Sequence, residues 1–275
     1  MKKHSIHLLL IPGLIVITLL LFVPILSNIL PTFIQNGGIT LKRYMDFFTD
    51  DYFMSILMRT VRIGILTTII CVILGVPVSY YVAKSSKKMK GILLAAAIFP
   101  QLTDSVVRSF AWMTILGKNG VINKSLVALH IFNEPQKLLY TEFAIIVGSV
   151  YLFLPLMIIS MVGVMDSIDD DLIEAAESLG ANRFLAFLKV IFPLSVPGMI
   201  VGSVLVFTGT FTAYTTPQLL GGNKNTVLAT LMYQKAMTLS DWTQASVLST
   251  VMILITLAVM FFINKLSSKL YERGV

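Results

Sequence analysis

The sequence predicts an all-α membrane protein with six transmembrane helices. The first observation is composition: of 275 residues, 56% are hydrophobic and 13% are charged, and the mean hydropathy is +0.85. A soluble domain averages roughly 25% charged residues, so a soluble enzyme, a disordered chain and a nucleic-acid-binding domain are excluded. The second observation is that the apolar runs are about 20 residues long and do not alternate in polarity, as the strands of a transmembrane barrel would.

Six apolar stretches can each cross the roughly 30 Å hydrocarbon core of a bilayer as a helix. They are residues 8–30, 61–83, 91–116, 142–164, 198–220 and 244–264. The first follows Lys2 and Lys3 as a secretory signal would, but its apolar core is too long and no small-residue cleavage site follows. No low-complexity tract or long linker interrupts the sequence, so residues 1–275 are expected to form a single transmembrane domain.

The positive charges predict the orientation of the chain. With six spans, both termini lie on the same side as the segments 84–90 and 165–197. The first of these segments is short and holds the densest lysine cluster, which is where the positive-inside rule is strongest. The cluster consists of Lys84, Lys87, Lys88 and Lys90. Both termini are therefore expected in the cytoplasm.

The segment 165–197 is predicted to contain a short amphipathic helix outside the bilayer. Ser167 and Asp170 have the spacing of a capping box, and the three acids 169–171 would fill the first turn, where the helix dipole favours negative charge. Gly180 is the expected C-terminal signal, which gives a helix over 168–180. The apolar positions recur at helical spacing and would form one face: Leu172, Ile173, Ala176 and Leu179. Because the polar face carries only acids, the helix suits a groove on another protein better than an anionic membrane surface.

A longer pattern around this helix resembles a known family. The pattern is Glu174-Ala175-Ala176, Gly180-Ala181, Phe187, Val190, Pro193 and Pro197-Gly198. It is similar to the EAA loop of type I importer permeases of ATP-binding cassette (ABC) transporters, with departures at Asp169 and Phe192, where the family commonly has Pro and Leu. The resemblance implies the type I ABC importer permease (MetI-like) fold, in which this loop is a coupling helix docked into a cytoplasmic ATPase. It assigns four residues to that contact: Glu174, Ala175, Ala176 and Gly180.

The same resemblance implies the partners. A second permease subunit (as a heterodimer), two ABC ATPase subunits and an extracytoplasmic solute-binding protein would complete a transporter in the bacterial cytoplasmic (inner) membrane. The chain has no G-x-x-x-x-G-K-[ST] loop that could cradle ATP phosphates, so ATP and Mg would be used by the partner ATPase. This chain is therefore expected to be a transport subunit without a cofactor, not an enzyme. A metal site is not expected either, because the three histidines are scattered and Cys71 is the single cysteine.

Two charged residues lie well inside the third stretch and are candidates for the solute pathway. Asp104 and Arg108 are four residues apart, so on a continuous helix they share a face. There they either neutralise each other as a structural pair or line the pathway or its outer gate. Pro100 interrupts the preceding turn, which favours an irregular, water-lined stretch. Arg62 and Glu142 lie near span ends, where we expect their charged groups to snorkel to the membrane surface.

Two further motifs narrow the resemblance to permeases of the spermidine/putrescine type. Val107-Arg108-Ser109-Phe110-Ala111-Trp112 is similar to their V-R-[ST]-[YF]-A-W signature. Thr216-Pro217-Gln218-Leu219-Leu220-Gly221-Gly222 is similar to their T-P-x-L-L-G-G element. The resemblance is nearer to the B-type subunit than to its C-type partner. It implies import of a polyamine or a similar small cation, and it adds Trp112 to the pathway candidates.

The hydroxyl-rich stretch 207–217 supplies the last candidates. Thr208 would line the path, and Phe211 and Tyr214 would make cation–π contacts with an ammonium group. Ordinary packing of small residues between helices explains the same stretch, and both interpretations stay open.

Two other functions are retained as alternatives. Related permeases import iron, phosphonates or opines, so the solute need not be a polyamine. A stand-alone, ion-coupled secondary transporter would use Asp104 as a proton site, but it would have no reason to carry an EAA loop. An integral-membrane enzyme is disfavoured because paired carboxylates, a histidine cluster and a Ser/His arrangement are missing from the sequence near the membrane faces.

Overall fold

The computed structural model describes the backbone of residues 4–35 and 37–272, and the side chains of residues 12–34 and 37–265. Within this part the chain forms thirteen α-helices. They are α1 (His4–Ile29), α2 (Lys42–Thr49), α3 (Asp51–Ala83), α4 (Lys87–Leu102), α5 (Ser105–Leu116), α6 (Val121–Ala128), α7 (Glu142–Met165), α8 (Asp171–Ser178), α9 (Arg183–Ala186), α10 (Phe192–Thr212), α11 (Thr215–Gly221), α12 (Leu228–Tyr233) and α13 (Trp242–Glu272). The shorter elements are 3-10 turns at Leu30–Phe33 and Asn223–Asn225, π-helical segments at Phe187–Ile191 and Gln234–Thr238, and the antiparallel strands β1 (Ile34–Gln35) and β2 (Gly38–Ile39).

Among the described residues, five helical stretches are long and apolar enough to cross a membrane, and the bent succession of α4 with α5 and α6 makes a sixth. The predicted all-α membrane fold is therefore confirmed. Helix α3, which contains the second predicted span 61–83, already starts at Asp51. The Asp50 carboxylate accepts a hydrogen bond from the Tyr52 backbone N–H at 2.8 Å, which caps this start.

The chain divides into two compact units, the first made of residues 1–55 with 231–253 and the second of residues 56–230 with 254–275. In the first unit, the Arg43 guanidinium donates to the carbonyl oxygens of Pro31, Thr32 and Ile34 at 3.0 Å each. One side chain therefore satisfies the backbone acceptors that the 3-10 turn leaves free. The described side chains of α1 are almost all exposed and apolar, as expected for a helix that faces lipid or another protein.

The second unit is built around α3, α7 and α10. Helices α7 and α10 run antiparallel and touch at glycines: a Cβ on Gly202 would lie 2.5 Å from the Met157 sulfur, and one on Gly198 would lie 2.9 Å from the Ser160 carbonyl oxygen. Small residues at such contacts are how transmembrane helices approach closely. The buried core cluster between these helices includes Cys71, Met157, Met161, Met165, Ile191 and Val206.

The third predicted span is not a continuous helix. Its residues form α4 and α5, separated at Thr103 and Asp104, and the two halves of this bent stretch are inclined by 95°. Pro100 lies inside α4, so the irregular stretch predicted around it exists, but it lies after the proline.

The fifth predicted span, 198–220, is also interrupted. Helix α10 ends at Thr212, Ala213 is extended, and α11 begins at Thr215. Pro217 explains the position of this break, since a proline ring clashes with the carbonyl of the residue four positions earlier, which here is Ala213. Pro217 itself lies in the first turn of α11, where its missing N–H leaves no bond unmade.

Candidate functional site

The predicted amphipathic helix exists as α8, but it is shorter and begins differently. It covers eight residues, Asp171–Ser178, instead of 168–180. The Ser167 hydroxyl does not cap it, because it donates to the Val164 carbonyl at 2.7 Å. The Asp169 carboxylate accepts from the Asp171 backbone N–H at 3.2 Å instead. The capping box predicted at Ser167 and Asp170 is therefore wrong, since the chain is still completing the turn that ends α7.

The end of α8 is the one that Gly180 predicts. Gly180 has a φ of +90°, and its N–H donates to the Glu177 carbonyl at 2.9 Å. The Ala181 N–H donates to the Ala176 carbonyl at 3.0 Å. These two bonds form a Schellman motif, which satisfies the last carbonyls of a helix and needs a residue that tolerates positive φ.

The inner side of α8 is joined to the bundle by apolar contacts. Ile173, together with Ile168 before the helix and Phe187 after it, packs against the core cluster between α3, α7 and α10. The Phe187 ring also lies against Tyr80 near the end of α3, with 5.1 Å between the centroids. Helix α8 is thus anchored to the spans from which it projects.

The outer side of α8 is exposed and carries its own apolar residues. Leu179 is 90% exposed and Leu172 is 46% exposed, while Glu174 and Ala175 between them are exposed as well. The four predicted apolar positions thus differ in burial: Ile173 packs inward and Ala176 is half-buried, whereas Leu172 and Leu179 are exposed.

Two ion pairs join the segment before α8 to the end of α3 and the first turn of α4. The Lys84 ammonium contacts the Asp170 carboxylate, and the Lys90 ammonium contacts the Asp166 carboxylate. The sequence places these lysines in one cluster as topology determinants, but the charge pattern alone does not show which acids they meet. Because the pairs bracket residues 166–170, they hold the base of α8 to the start of α4.

Asp104 and Arg108 do not form the predicted ion pair; instead, both stabilise the helix break. The Asp104 carboxylate accepts from the backbone N–H groups of Val106 and Val107 at 2.8 and 3.1 Å, which caps α5. The Arg108 guanidinium donates to the carbonyls of Pro100 and Thr103 at 2.8 and 3.2 Å, which satisfies acceptors at the end of α4. The two side chains therefore serve opposite sides of the break, since Asp104 binds donors of α5 and Arg108 binds acceptors of α4.

The remaining pathway candidates lie near the two helix breaks. Trp112 is half-buried, and its ring meets Tyr151 edge-on, with 5.5 Å between the centroids. Phe211 is fully buried and stacks on Phe207 with a centroid separation of 5.4 Å. In this conformation the rings of Trp112 and Phe211 are therefore engaged in packing.

The hydroxyl-bearing candidates behave differently from these rings. The Thr208 hydroxyl is buried without a hydrogen-bond partner in the described part of the chain, as is that of Thr210. Tyr214 is half-buried at the residue that precedes α11. Over the described residues, no group of three or more His, Cys, Asp or Glu side chains could hold a metal ion.

The opposite end of α7 carries a charged cluster that sequence reasoning missed. Glu142 contacts Arg62 at 2.5 Å and Arg59 at 3.2 Å, and Arg59 also donates to the Thr226 carbonyl at 3.1 Å. That Arg62 and Glu142 snorkel to the membrane surface stays a prediction, and the structure adds that they pair across α3 and α7. Opposite charges at matching ends of two spans are the signal that could have indicated this pair.

Comparisons with known proteins agree with this architecture. The family model described as "Binding-protein-dependent transport system inner membrane component" matches residues 75–273. The chain belongs to this family. Members of this family are permease subunits of ABC importers. This chain is therefore a transport subunit and not an enzyme.

Several of the similar curated proteins are described as spermidine/putrescine permeases. The chain is 30% identical over 271 residues, 95% of its length and 94% of the relative, to the "Spermidine/putrescine transport system permease protein PotB" of Haemophilus influenzae. It is 27% identical over 266 residues, 94% of its length and 96% of the relative, to the protein of the same description in Escherichia coli. The spermidine/putrescine resemblance predicted from the two sequence motifs is therefore confirmed.

Solved structures show the same fold. A permease chain of a bacterial alginate ABC transporter, in complex with an alginate pentasaccharide-bound periplasmic protein, superposes with a TM-score of 0.78 at 18% identity, covering 99% of this chain and 97% of that chain. The inward-facing MetNI methionine ABC transporter gives a TM-score of 0.57 at 16% identity, covering 82% of this chain and all of the other (100%). The type I importer permease fold is therefore confirmed.

Proposed function

We propose that this permease forms half of the solute pathway of an ATP-driven polyamine importer and is driven by a separate ATPase that grips α8. The observation that carries the proposal is the exposure of Leu172, Glu174, Ala175 and Leu179 on a helix that Ile173 anchors to the spans. A short rigid helix of this kind transmits a displacement of its partner to the bundle.

The side chains exposed on α8 indicate what kind of partner groove they fit. Ala175 is small, so the partner can approach the helix backbone closely, while Leu179 supplies an apolar tip. Glu174 and the acids before it favour basic side chains at the groove rim. These residues, with Ala176 and Gly180, are the contacts that we assign to the ATPase.

The ion pairs at the base of α8 provide a route for the motion. Lys84 and Lys90 tie residues 166–170 to the end of α3 and the first turn of α4, and Phe187 meets Tyr80 near the end of α3. A push on α8 is therefore delivered to α3, α4 and α10 together instead of to a free loop. We infer that the bundle responds by rocking from an inward-facing to an outward-facing state.

The two helix breaks are suited to act as hinges because they lie at similar depth. The Gln101 amide donates to the Leu152 carbonyl at 3.3 Å, and the position of Gly209 lies beside the Phe153 ring, so both breaks are level with the same turn of α7. We place the solute path beside the two breaks, at the height of this turn of α7. The side chains proposed to line it are Asp104, Arg108, Trp112, Thr208, Phe211 and Tyr214.

The substrate proposal is supported by the relatives. Permeases described as spermidine/putrescine proteins share 27–30% identity with nearly the whole chain. We propose that a periplasmic binding protein selects the polyamine, that a second permease subunit completes the path, and that two ATPase subunits supply the energy. The proposed orientation, with both termini and α8 on the cytoplasmic side, brings α8 to the compartment that contains ATP.

The test is reconstitution of the complete transporter in liposomes. Uptake of radiolabelled spermidine is expected only when ATP is enclosed with the ATPase and when the solute-loaded binding protein is outside. Uptake that proceeds without ATP would identify an ion-coupled secondary transporter and overturn the proposal. ATP-dependent uptake of iron, a phosphonate or an opine in place of spermidine would keep the importer and change its substrate.

A further inference from the structure

Two adjacent cavities lie at the end of the second unit that is opposite α8. Their volumes are about 460 and 420 Å³, and they share Lys137 and Tyr140 in their walls. Lys224 lines the first cavity and Lys118 lines the second. All three lysines are exposed, so their ammonium groups surround a concave surface that faces outward.

One wall of the cavities is held by a buried amide. Asn123 is only 1% exposed, and its Nδ2 donates to the carbonyls of Gly117 and Gln136 at 3.1 and 2.9 Å. Its Oδ1 accepts from the Gln136 backbone N–H at 2.9 Å. Asn123 thereby fixes the loop that carries Lys137 against α6.

The other wall depends on the Leu-Gly-Gly end of the second sequence motif. Tyr140 has a φ of +59°, and it is held there because its N–H donates to the Leu220 carbonyl at 3.0 Å and its own carbonyl accepts from Asn225 at 2.9 Å. Gly222 has a φ of +63°, and a Cβ there would lie 3.0 Å from the Tyr140 ring. The glycines therefore let the backbone pass close to Tyr140, so the surface is prearranged.

The charge of this surface is not balanced locally. Among the described residues, none of Lys118, Lys137 and Lys224 forms an ion pair, and neither cavity is lined by an acid. Of the acids nearby, Glu142 is already bound to two arginines, and the exposed Glu134 beside Pro135 forms no ion pair with these lysines, so a net positive charge remains. Three unpaired like charges around shaped cavities raise the local potential and attract carboxylates.

We propose that these lysine-lined cavities are the docking site for acidic side chains on the solute-binding protein. This inference rests on the proposed function, which places this end of the bundle outside the cytoplasm. A protein partner is favoured over anionic lipid because the surface combines lysines with an aromatic ring and with the amide side chains Gln218 and Asn223. Such a mixture of charge, aromatic and amide groups is typical of the polar part of a protein interface.

The test uses the reconstituted transporter in zwitterionic nanodiscs and the spermidine-loaded binding protein that supports its uptake. Lys137→Glu is expected to raise the Kd of that protein about tenfold, and the triple variant Lys118→Glu/Lys137→Glu/Lys224→Glu about a hundredfold, with a weaker salt dependence. Lys137→Arg should retain the wild-type Kd. Lys124→Glu is the matched control, because Lys124 is exposed on nearby α6 and lines neither cavity.

The outcomes separate this site from the proposed function. Basal ATP hydrolysis and ATPase association must be unchanged in the variants, which shows that they assemble. An unchanged Kd in the triple variant, or an effect no larger than that of Lys124→Glu, would overturn the docking site while the importer stands. Lysine substitutions that alter only retention of anionic lipid would also overturn it. If wild-type transporter shows no ATP-driven uptake with any binding protein, the proposed function fails, and this site fails with it.

Discussion

Asp104 and Arg108 show how charged residues in an apolar stretch can serve the backbone. Each break in a membrane-spanning helix frees donors and acceptors that have no water to bind. Asp104 binds the donors that begin α5, and Arg108 binds the acceptors that end α4. Their spacing of four residues therefore reflects the two ends of one break instead of a shared helix face.

Substitution of Asp104 distinguishes its capping role from a role for its charge. Asp104→Asn keeps an oxygen that accepts the same bonds, so stability should remain near wild type, whereas spermidine uptake should fall because the proposed path loses its acid. Asp104→Ala removes the cap and should also lower the free energy of unfolding. Thermal unfolding in detergent and uptake assays measure the two effects. An Asn variant with normal stability and normal uptake would show that Asp104 only caps α5.

Gly180 offers a second test at the residue scale. Its φ of +90° makes a β-branched residue unfavourable, so Gly180→Val should cost about 1–2 kcal/mol and unwind the end of α8. Gly180→Asn should be milder, since Asn tolerates this region. The ratio of ATPase to permease after purification is expected to fall in the order wild type, Asn, Val. Equal ratios in all three proteins would remove the end of α8 from the contact.

At the scale of elements, Gly198 permits the close contact of α7 and α10. Gly198→Ala would place a Cβ 2.9 Å from the Ser160 carbonyl oxygen, which cannot move without shifting the α7 backbone. The expected loss of stability is about 1–3 kcal/mol. Gly163→Ala is the control on α7, because nothing lies within 4 Å of the added methyl group. A Gly198→Ala protein as stable as the control would contradict the packing described here.

The Lys84–Asp170 pair is the second element-scale test. Exposed ion pairs contribute roughly 0–1 kcal/mol, so Lys84→Glu should scarcely change stability. It should, however, lower the number of spermidine molecules imported per ATP, because like charges push the base of α8 away from α4. The double variant Lys84→Glu/Asp170→Lys should restore coupling. Lys88 belongs to the same lysine cluster but forms no ion pair in the described chain, so Lys88→Glu should leave the coupling unchanged. If the double variant does not restore the coupling, the role of the Lys84–Asp170 pair is refuted.

The elements differ in how far the sequence predicts them. The apolar stretches and Gly180 are predicted well, because span length and positive φ are local requirements of composition and backbone geometry. The exact positions of the breaks at Asp104 and Ala213 are not predicted, although Pro100 indicates irregularity near the first, because capping contacts and a proline clash fix where each helix ends. Ile173 is directed inward because it packs with Tyr80 and Phe187 against the core cluster. Hydrophobic periodicity within α8 cannot reveal contacts with residues so far away in the sequence.

The whole second unit links three functional levels along α7. At one end, α8 is tied to the spans by Ile173 and by two ion pairs; two helix breaks lie level with the middle turns of α7. At the other end, Glu142 pairs with Arg59 and Arg62 beside the lysine-lined cavities. The proposed ATPase contact, the proposed hinges and the proposed docking surface therefore follow one another along α7, as expected for an alternating-access permease.

If an ATPase grips the outer side of α8, site-specific crosslinking in the intact transporter should capture the contact. A photoreactive amino acid is placed at Ala175, and Gly163, an exposed position on α7, is the control. Position 175 is expected to crosslink to the ATPase subunit, and Glu174→Arg is expected to abolish both the crosslink and ATP-driven uptake. No ATPase adduct at position 175 in a transporter that imports spermidine with ATP would contradict the proposed contact.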